Sequence, residues 1–254
     1  VGTLALLFFA ALAGGALNSV AGGGSFIVFP TVLFTGTPPV MANATTAAGL
    51  WPASVASAAA YRKDMRREHP RRLVVLASAS LVGGIAGAAL LLGTSDATFV
   101  RLLPWLLLFA TLVFTFGKRA SSKLAAVRVP EGAGFALGAL AQLLVATYGG
   151  YFGGGMGIMM LAIFTLLGMR DIHEMNGVKN VLGTLINGAA VVAFASAHMI
   201  AWRPAAALVL GGVCGGFGGA SLARKVSAST MRIVVLVLAW SLTAYFFARP
   251  WLGR

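Results

Sequence analysis

Two groups of small polar side chains sit beside glycine runs in this chain. The first is Asn18, Ser19 and Ser25 around Gly22, Gly23 and Gly24. The second is Tyr148 and Tyr151 ahead of Gly154 and Gly155, within the stretch from Tyr148 to Gly157. Glycine runs permit backbone conformations and close approaches that side chains forbid. A helix restarting after such a break presents unpaired N–H groups and the positive end of its dipole, which suits an anion. The helices expected next carry further neutral donors. Asn43, Thr46 and Gly49 share one face, with Thr45 adjacent. His173, Asn176, Asn180, Gly183 and Asn187 form a stripe at helical spacing. Lys179 falls about two turns into that second helix, ~10 Å from its start at 1.5 Å per residue. What that depth means depends on whether the helices lie in a membrane.

The acidic residues inform by their placement. Asp64, Glu68, Asp96 and Glu131 fall in expected connections, and Asp171 and Glu174 have capping-box spacing. A carrier of cations would be expected to place carboxylates at depth. Helix starts, amides, hydroxyls and one lysine suit an anion instead. Cys214 is the only cysteine, so no intrachain disulfide and no cysteine-based metal site are expected. Ser25 has no evident base and orienting partner, so the chain is not expected to be an enzyme. No cofactor is expected.

The elements that position these residues follow from composition. Of 254 residues, 59% are hydrophobic and 10% are charged, against about 25% charged in soluble domains. So few charges cannot cover a water-facing surface, and the chain is expected to be an all-α integral membrane protein. An ionisable group at depth in a membrane is a functional hypothesis, here for Lys179; snorkelling to an interface is its structural alternative. The net charge of +13 would suggest nucleic acid in a soluble protein. Here the cations gather in short segments between apolar runs, the positive-inside pattern, so the partner is the bilayer and not nucleic acid. Basic connections at 62–72, 117–132 and 223–232 are placed in the cytoplasm. The first apolar run leads directly into the glycine break, which is not the pattern of a cleaved leader.

In order, apolar segments are expected at 2–21, 25–35, 38–61, 73–92, 99–116, 133–147, 158–167, 171–198, 204–223 and 233–247, with Thr37 capping the third and Pro250 ending the last. Those at 25–35 and 158–167 are too short for a perpendicular span. Sliding the chain by 132 residues superimposes Leu81-Val-Gly-Gly-Ile-Ala-Gly-Ala-Ala-Leu90 on Val213-Cys-Gly-Gly-Phe-Gly-Gly-Ala-Ser-Leu222. It also brings Gly22-Gly23 onto Gly154-Gly155 and Gly36 onto Gly168. The expected division is a first repeat at 1–116, a cytoplasmic linker at 117–132 and a second repeat at 133–254, forming one membrane domain. Five segments per repeat invert the second relative to the first, an architecture common among secondary transporters. About 8–10 membrane segments result, depending on whether the short ones span or re-enter.

At these residues the chain resembles the sulfite exporter TauE/SafE family. The resemblance rests on Asn18-Ser-x-Ala-Gly-Gly-Gly-Ser-Phe-x-x-Phe-Pro30, Gly36-Thr-Pro-Pro39 and Ala42-Asn-Ala-Thr45. In the second half it rests on Tyr148-Gly-Gly-Tyr-Phe-Gly153, Arg170-Asp-Ile-His173, Met175-Asn176 and Lys179-Asn180. It implies a duplicated, multi-pass permease of the cytoplasmic membrane that moves small sulfur-containing anions such as sulfite or organosulfonates. Alternating access is the expected mechanism. An anion channel of the same fold and a carrier of another small organic anion are the alternatives, and a homodimer is left open. The expected substrate contacts are Asn18, Ser19, Gly22, Gly23, Gly24, Ser25, Tyr148, Tyr151, Gly154 and Gly155 of the two glycine stretches, together with Asn43, Thr45, Thr46, Asn176, Lys179 and Asn180.

Overall fold

The structure, a computed structural model, describes residues 2–21, 23–62, 70–124, 131–222 and 228–252. Residues 63–69, 125–130 and 223–227 of the expected basic connections lie outside the described residues, as does Gly22. Among the described residues the regular elements are ten helices: α1 (Gly2–Ala21), α2 (Ser25–Phe34), α3 (Pro39–Ala60), α4 (Pro70–Leu92), α5 (Asp96–Leu124), α6 (Glu131–Tyr151), α7 (Met156–Leu166), α8 (Ile172–Ser196), α9 (Trp202–Leu222) and α10 (Ala228–Leu252). Four of them, over Gly2–Ser19, Pro70–Leu92, Asp96–Gly117 and Ile172–Ser196, are long and apolar enough to cross a membrane. The short α2 and α7 are as expected. Pro250 does not stop α10, which continues to Leu252.

Two helix starts differ in an informative way. α8 begins as expected, with Asp171 Oδ1 accepting from the backbone N–H of His173 at 2.8 Å and of Glu174 at 3.5 Å. α3 does not. Pro38 is the capping residue and makes no side-chain cap bond, and the Thr37 hydroxyl lies 3.3 Å from that of Thr35. Proline has no N–H, so Val40 is the first residue of this helix with a hydrogen to place. It donates to Asp96 Oδ1, at the start of α5, at 2.8 Å. The cap thus comes from a distant element: Asp96, and not Thr37, meets the Val40 N–H.

The helices pack in a definite pattern: α1 on α9, α4 on α6, α3 on both α8 and α9, and α4 also on α8, with α5 against α7 and α10. One end of the bundle gathers Val40 with Asp96, and Thr45 with the connection at 197–201, where Thr45 Oγ1 accepts from Ala201 N at 3.0 Å. The opposite end gathers Arg72, whose Nη1 donates to Leu167 O at 3.1 Å, and the Tyr61 ring over that of His173.

Between helices in lipid there is no water to expel, so close van der Waals packing and buried hydrogen bonds hold them together. Small residues make the approach possible. A Cβ on Gly87 of α4 would strike Thr147 O of α6, and one on Gly215 of α9 would strike Leu12 O of α1. Buried polar pairs add to this, with Gln142 Nε2 donating to Ser80 Oγ at 2.9 Å and the hydroxyls of Thr111 and Thr243 3.0 Å apart. Overpacking a tight contact costs about 1–3 kcal/mol. Gly87→Leu is therefore expected to lower the thermal unfolding midpoint of the purified protein. Gly218→Ala, where an added Cβ meets nothing within 4 Å, should leave it unchanged, and equal midpoints for the two variants would contradict the packing described.

Candidate functional site

α1 and α6 both end inside the bundle, and their last carbonyls need donors because water is absent there. Each receives them from a helix of the other half of the chain. At α6, Asn43 Nδ2 of α3 donates to Tyr151 O at 2.8 Å. At α1, Lys179 Nζ of α8 donates to Ser19 O at 3.2 Å and Asn18 O at 3.4 Å, and also to Asn176 Oδ1 at 3.0 Å. Lys179 is 2% exposed, so it does not snorkel. Its three acceptors match the three N–H bonds of an ammonium group, and all three are uncharged.

The second glycine stretch is shorter than expected. α6 continues through Tyr148, Gly149, Gly150 and Tyr151, leaving only Phe152 to Gly155 between helices. Gly149 and Gly150 are packing residues instead: a Cβ on Gly150 would strike Gly84 O, and one on Gly149 would lie 2.6 Å from Met156 Sδ. The connection turns on Gly153 (φ 80°) and Gly155 (φ 78°), in the left-handed region that favours glycine. Tyr148 holds it by donating its hydroxyl to Gly154 O at 2.8 Å. The two breaks adjoin, since a Cβ on Gly153 would lie 3.9 Å from Ser25 Oγ.

Two small cavities lie along this seam. Asn18, Ser25, Asn43, Thr46, Gly153 and Asn187 line the first, nearer the Asp96 end. Asn18, Ser54, Gly157, Lys179 and Asn180 line the second, nearer the Tyr61 end. Asn18 and Met156 belong to both, and Asn18 Nδ2 reaches Ser54 Oγ at 3.5 Å. Their volumes are about 20 and 10 Å³, room for roughly one water in the larger. An oxyanion of several heavy atoms does not fit either without movement.

Of the expected contacts, Asn18, Ser25, Asn43, Thr46, Lys179 and Asn180 thus line cavities. Asn176 orients Lys179. Tyr151 contributes its backbone oxygen, while its hydroxyl donates to Thr94 Oγ1 at 3.3 Å. Ser19 spends its hydroxyl on Ala16 O at 2.9 Å, and Thr45 serves the 197–201 connection. Gly23 packs on Val235 and Phe114, Gly24 on Gly14 and Asn18, Gly154 on Phe152, and Gly155 on Ala110. Lining residues outside the expected contacts include Ser54, Asn187 and Met156. Asn187 belongs to the stripe already visible in the sequence, and Ser54 continues the three- and four-residue spacing of Asn43 and Thr46, which would have found it. Met156 carries no such signal.

The arrangement is that of a helical membrane protein with buried polar cavities between its two halves, one of them beside a buried lysine. Comparison with known proteins gives the particular class. The family model described as sulfite exporter TauE/SafE matches residues 7–246. The chain belongs to this family of membrane transporters. It is similar to a "Probable membrane transporter protein" of Haemophilus influenzae, 27% identical over 242 residues covering 95% of this chain and 93% of the relative. It is also similar to the "Probable membrane transporter protein ORF9" of a Sinorhizobium species, 26% identical with 99% and 97% covered. The "Probable membrane transporter protein YfcA" of Escherichia coli K12 is 24% identical, with 95% and 88% covered. No solved structure matches the chain.

Removing the Lys179 ammonium strands buried acceptors, each at a cost of about 1–3 kcal/mol. Lys179→Met is expected to lower the unfolding midpoint and to speed amide hydrogen exchange in the last turn of α1, around Asn18 to Ala21. Exchange there at the wild-type rate would show that the end of α1 does not depend on the lysine.

Proposed function

We propose that this chain is a secondary transporter of small sulfur-containing anions, such as sulfite or organosulfonates, working by alternating access in the cytoplasmic membrane. The observation that carries this reading is Lys179, whose buried Nζ sits among uncharged oxygens beside a cavity to which both halves contribute. A buried positive charge with no carboxylate partner attracts an anion and repels a cation. The family description, sulfite exporter TauE/SafE, supports sulfite and its organic relatives as the anions to try first.

The inverted-repeat reading has support in the packing. Elements α1 to α5 and α6 to α10 take equivalent neighbours: α1 on α9 and α6 on α4, α3 on α9 and α8 on α4, α5 on α7 and α10 on α2. Thr111 and Thr243, which hydrogen-bond to each other, stand 132 residues apart, the offset at which the sequence superimposes on itself. The carbonyls of Ser19 and Tyr151, capped by Lys179 and Asn43, are separated by the same interval. Two halves with like contacts and opposite directions can exchange roles, closing one cavity as the other opens. The end bearing Arg62, Arg71, Arg72 and Arg170 is cytoplasmic on the positive-inside rule, and the Asp96 end faces outward. α2 and α7, about 15 Å long, reach only part of the ~30 Å hydrocarbon depth by themselves.

Reconstituted vesicles test this. Sulfite or ethanesulfonate inside them is expected to leave faster when the same anion is added outside, the behaviour of a carrier. Flux indifferent to the opposite side would indicate a channel, and no flux of any oxyanion would remove the anion reading. Lys179→Ala, judged folded by size exclusion, should slow exchange at least about tenfold, the loss of ~1.4 kcal/mol of stabilisation.

A further inference from the structure

The second cavity holds a donor with nothing to donate to. Asn180 is 4% exposed, it lines the cavity, and its Nδ2 has no hydrogen-bond partner. A buried amide left unmet costs free energy, and such groups are few in folded proteins. Water is a poor remedy here. The cavity volume of about 10 Å³ is at the lower bound for a single molecule.

Two neighbours define what would satisfy the amide. Lys179 lines the same cavity, but its three N–H bonds are already committed to Asn18 O, Ser19 O and Asn176 Oδ1. A ligand arriving there gains the field of the ammonium and finds no free N–H on it. The first turn of α7 supplies Met156 and Gly157 to the lining, bringing the positive end of that helix dipole. Charge therefore comes from Lys179 and α7, and Asn180 supplies the buried side-chain donor that has no partner. The walls that must yield are Met156 and Met160, unbranched side chains that change rotamer readily.

Resting on the anion-transport reading above, we propose that the second cavity is an oxyanion subsite in which Asn180 Nδ2 donates the recognising hydrogen bond while Lys179 contributes charge without a bond of its own. Asn180 is then the specificity-determining residue of the subsite. It favours anions that present an oxygen acceptor at the position of its amide, and Lys179 acts on any anion.

The test compares thermal unfolding of the full chain in detergent, with and without sulfite and with and without ethanesulfonate, for wild type and Asn180→Leu. An asparagine with a structural role would destabilise the ligand-free protein when replaced. An orphan donor predicts a ligand-free midpoint unchanged or raised, the ligand-induced rise lost, and affinity for both anions weaker by about tenfold or more. Should leucine overpack the site, Asn180→Ala carries the same affinity comparison, with the same tenfold loss expected. Wild-type affinity in Asn180→Ala would overturn the subsite while leaving anion transport standing. No stabilisation of the wild type by either anion, together with no flux in the vesicle assay, would remove the transport reading and the subsite with it.

Discussion

A helix that ends inside a membrane protein must find partners for its last carbonyls within the protein. That constraint organises the centre of this molecule. α1 and α6 stop short of α2 and α7, and the carbonyls at their ends are met by Lys179 and Asn43 from helices of the opposite half. The caps therefore do two things. They make an irregular backbone tolerable at depth, and they tie each half to the other across the seam where the cavities lie. Any motion that separates the halves must break these bonds or carry the capping helix along with the capped one.

Glycine serves this arrangement in two ways that look the same in a sequence. At Gly153 and Gly155 it supplies left-handed backbone for a turn. At Gly83, Gly87 and Gly150 it removes a side chain so that α4 and α6 can touch, at Gly149 it makes room for Met156, and Gly211 and Gly215 serve the contact of α9 on α1. The first use sets where a helix stops and the second sets how closely helices pack. Tight packing of α4 on α6 and of α9 on α1 leaves α3 and α8 as the elements that reach across the seam with polar side chains.

Much of this was legible in the sequence, for reasons that differ by residue. Asn43, Thr46, Lys179 and Asn180 stand out because polar groups on apolar helices are costly and must have a use. The short α2 and α7 follow from length, and Asp171 announces α8 through local capping chemistry. The misreadings are non-local. The run from Tyr148 reads as a break because of its paired glycines, and only the positions of Met156 and Gly84 show that they are needed for contact. Thr37 has the right type and place for a cap, and loses that role to Asp96, 56 residues from Val40. Thr45 lies next to a cavity-lining residue, yet one position on a helix turns a side chain by about 100°, and it meets the 197–201 connection instead. Met156 could not be singled out, since a methionine among apolar residues carries no pattern.

On the anion-carrier reading, a charge on Lys179 bears on the transport cycle as well as on binding. Uncharged oxygens stabilise an ammonium but do not neutralise it, so with Lys179 protonated the empty site carries a net positive charge in a medium of low dielectric constant. A bound monovalent anion cancels that charge. On the anion-carrier reading, the loaded protein rearranges with a nearly neutral core, and the empty protein must rearrange with an uncompensated cation. The difference raises the barrier to the empty step relative to the loaded one. Exchange of one anion for another is then faster than net movement, unless a second ion accompanies the return. On that reading, the lysine whose three bonds hold the end of α1 in place also sets an electrostatic bias on which step of the cycle is slow.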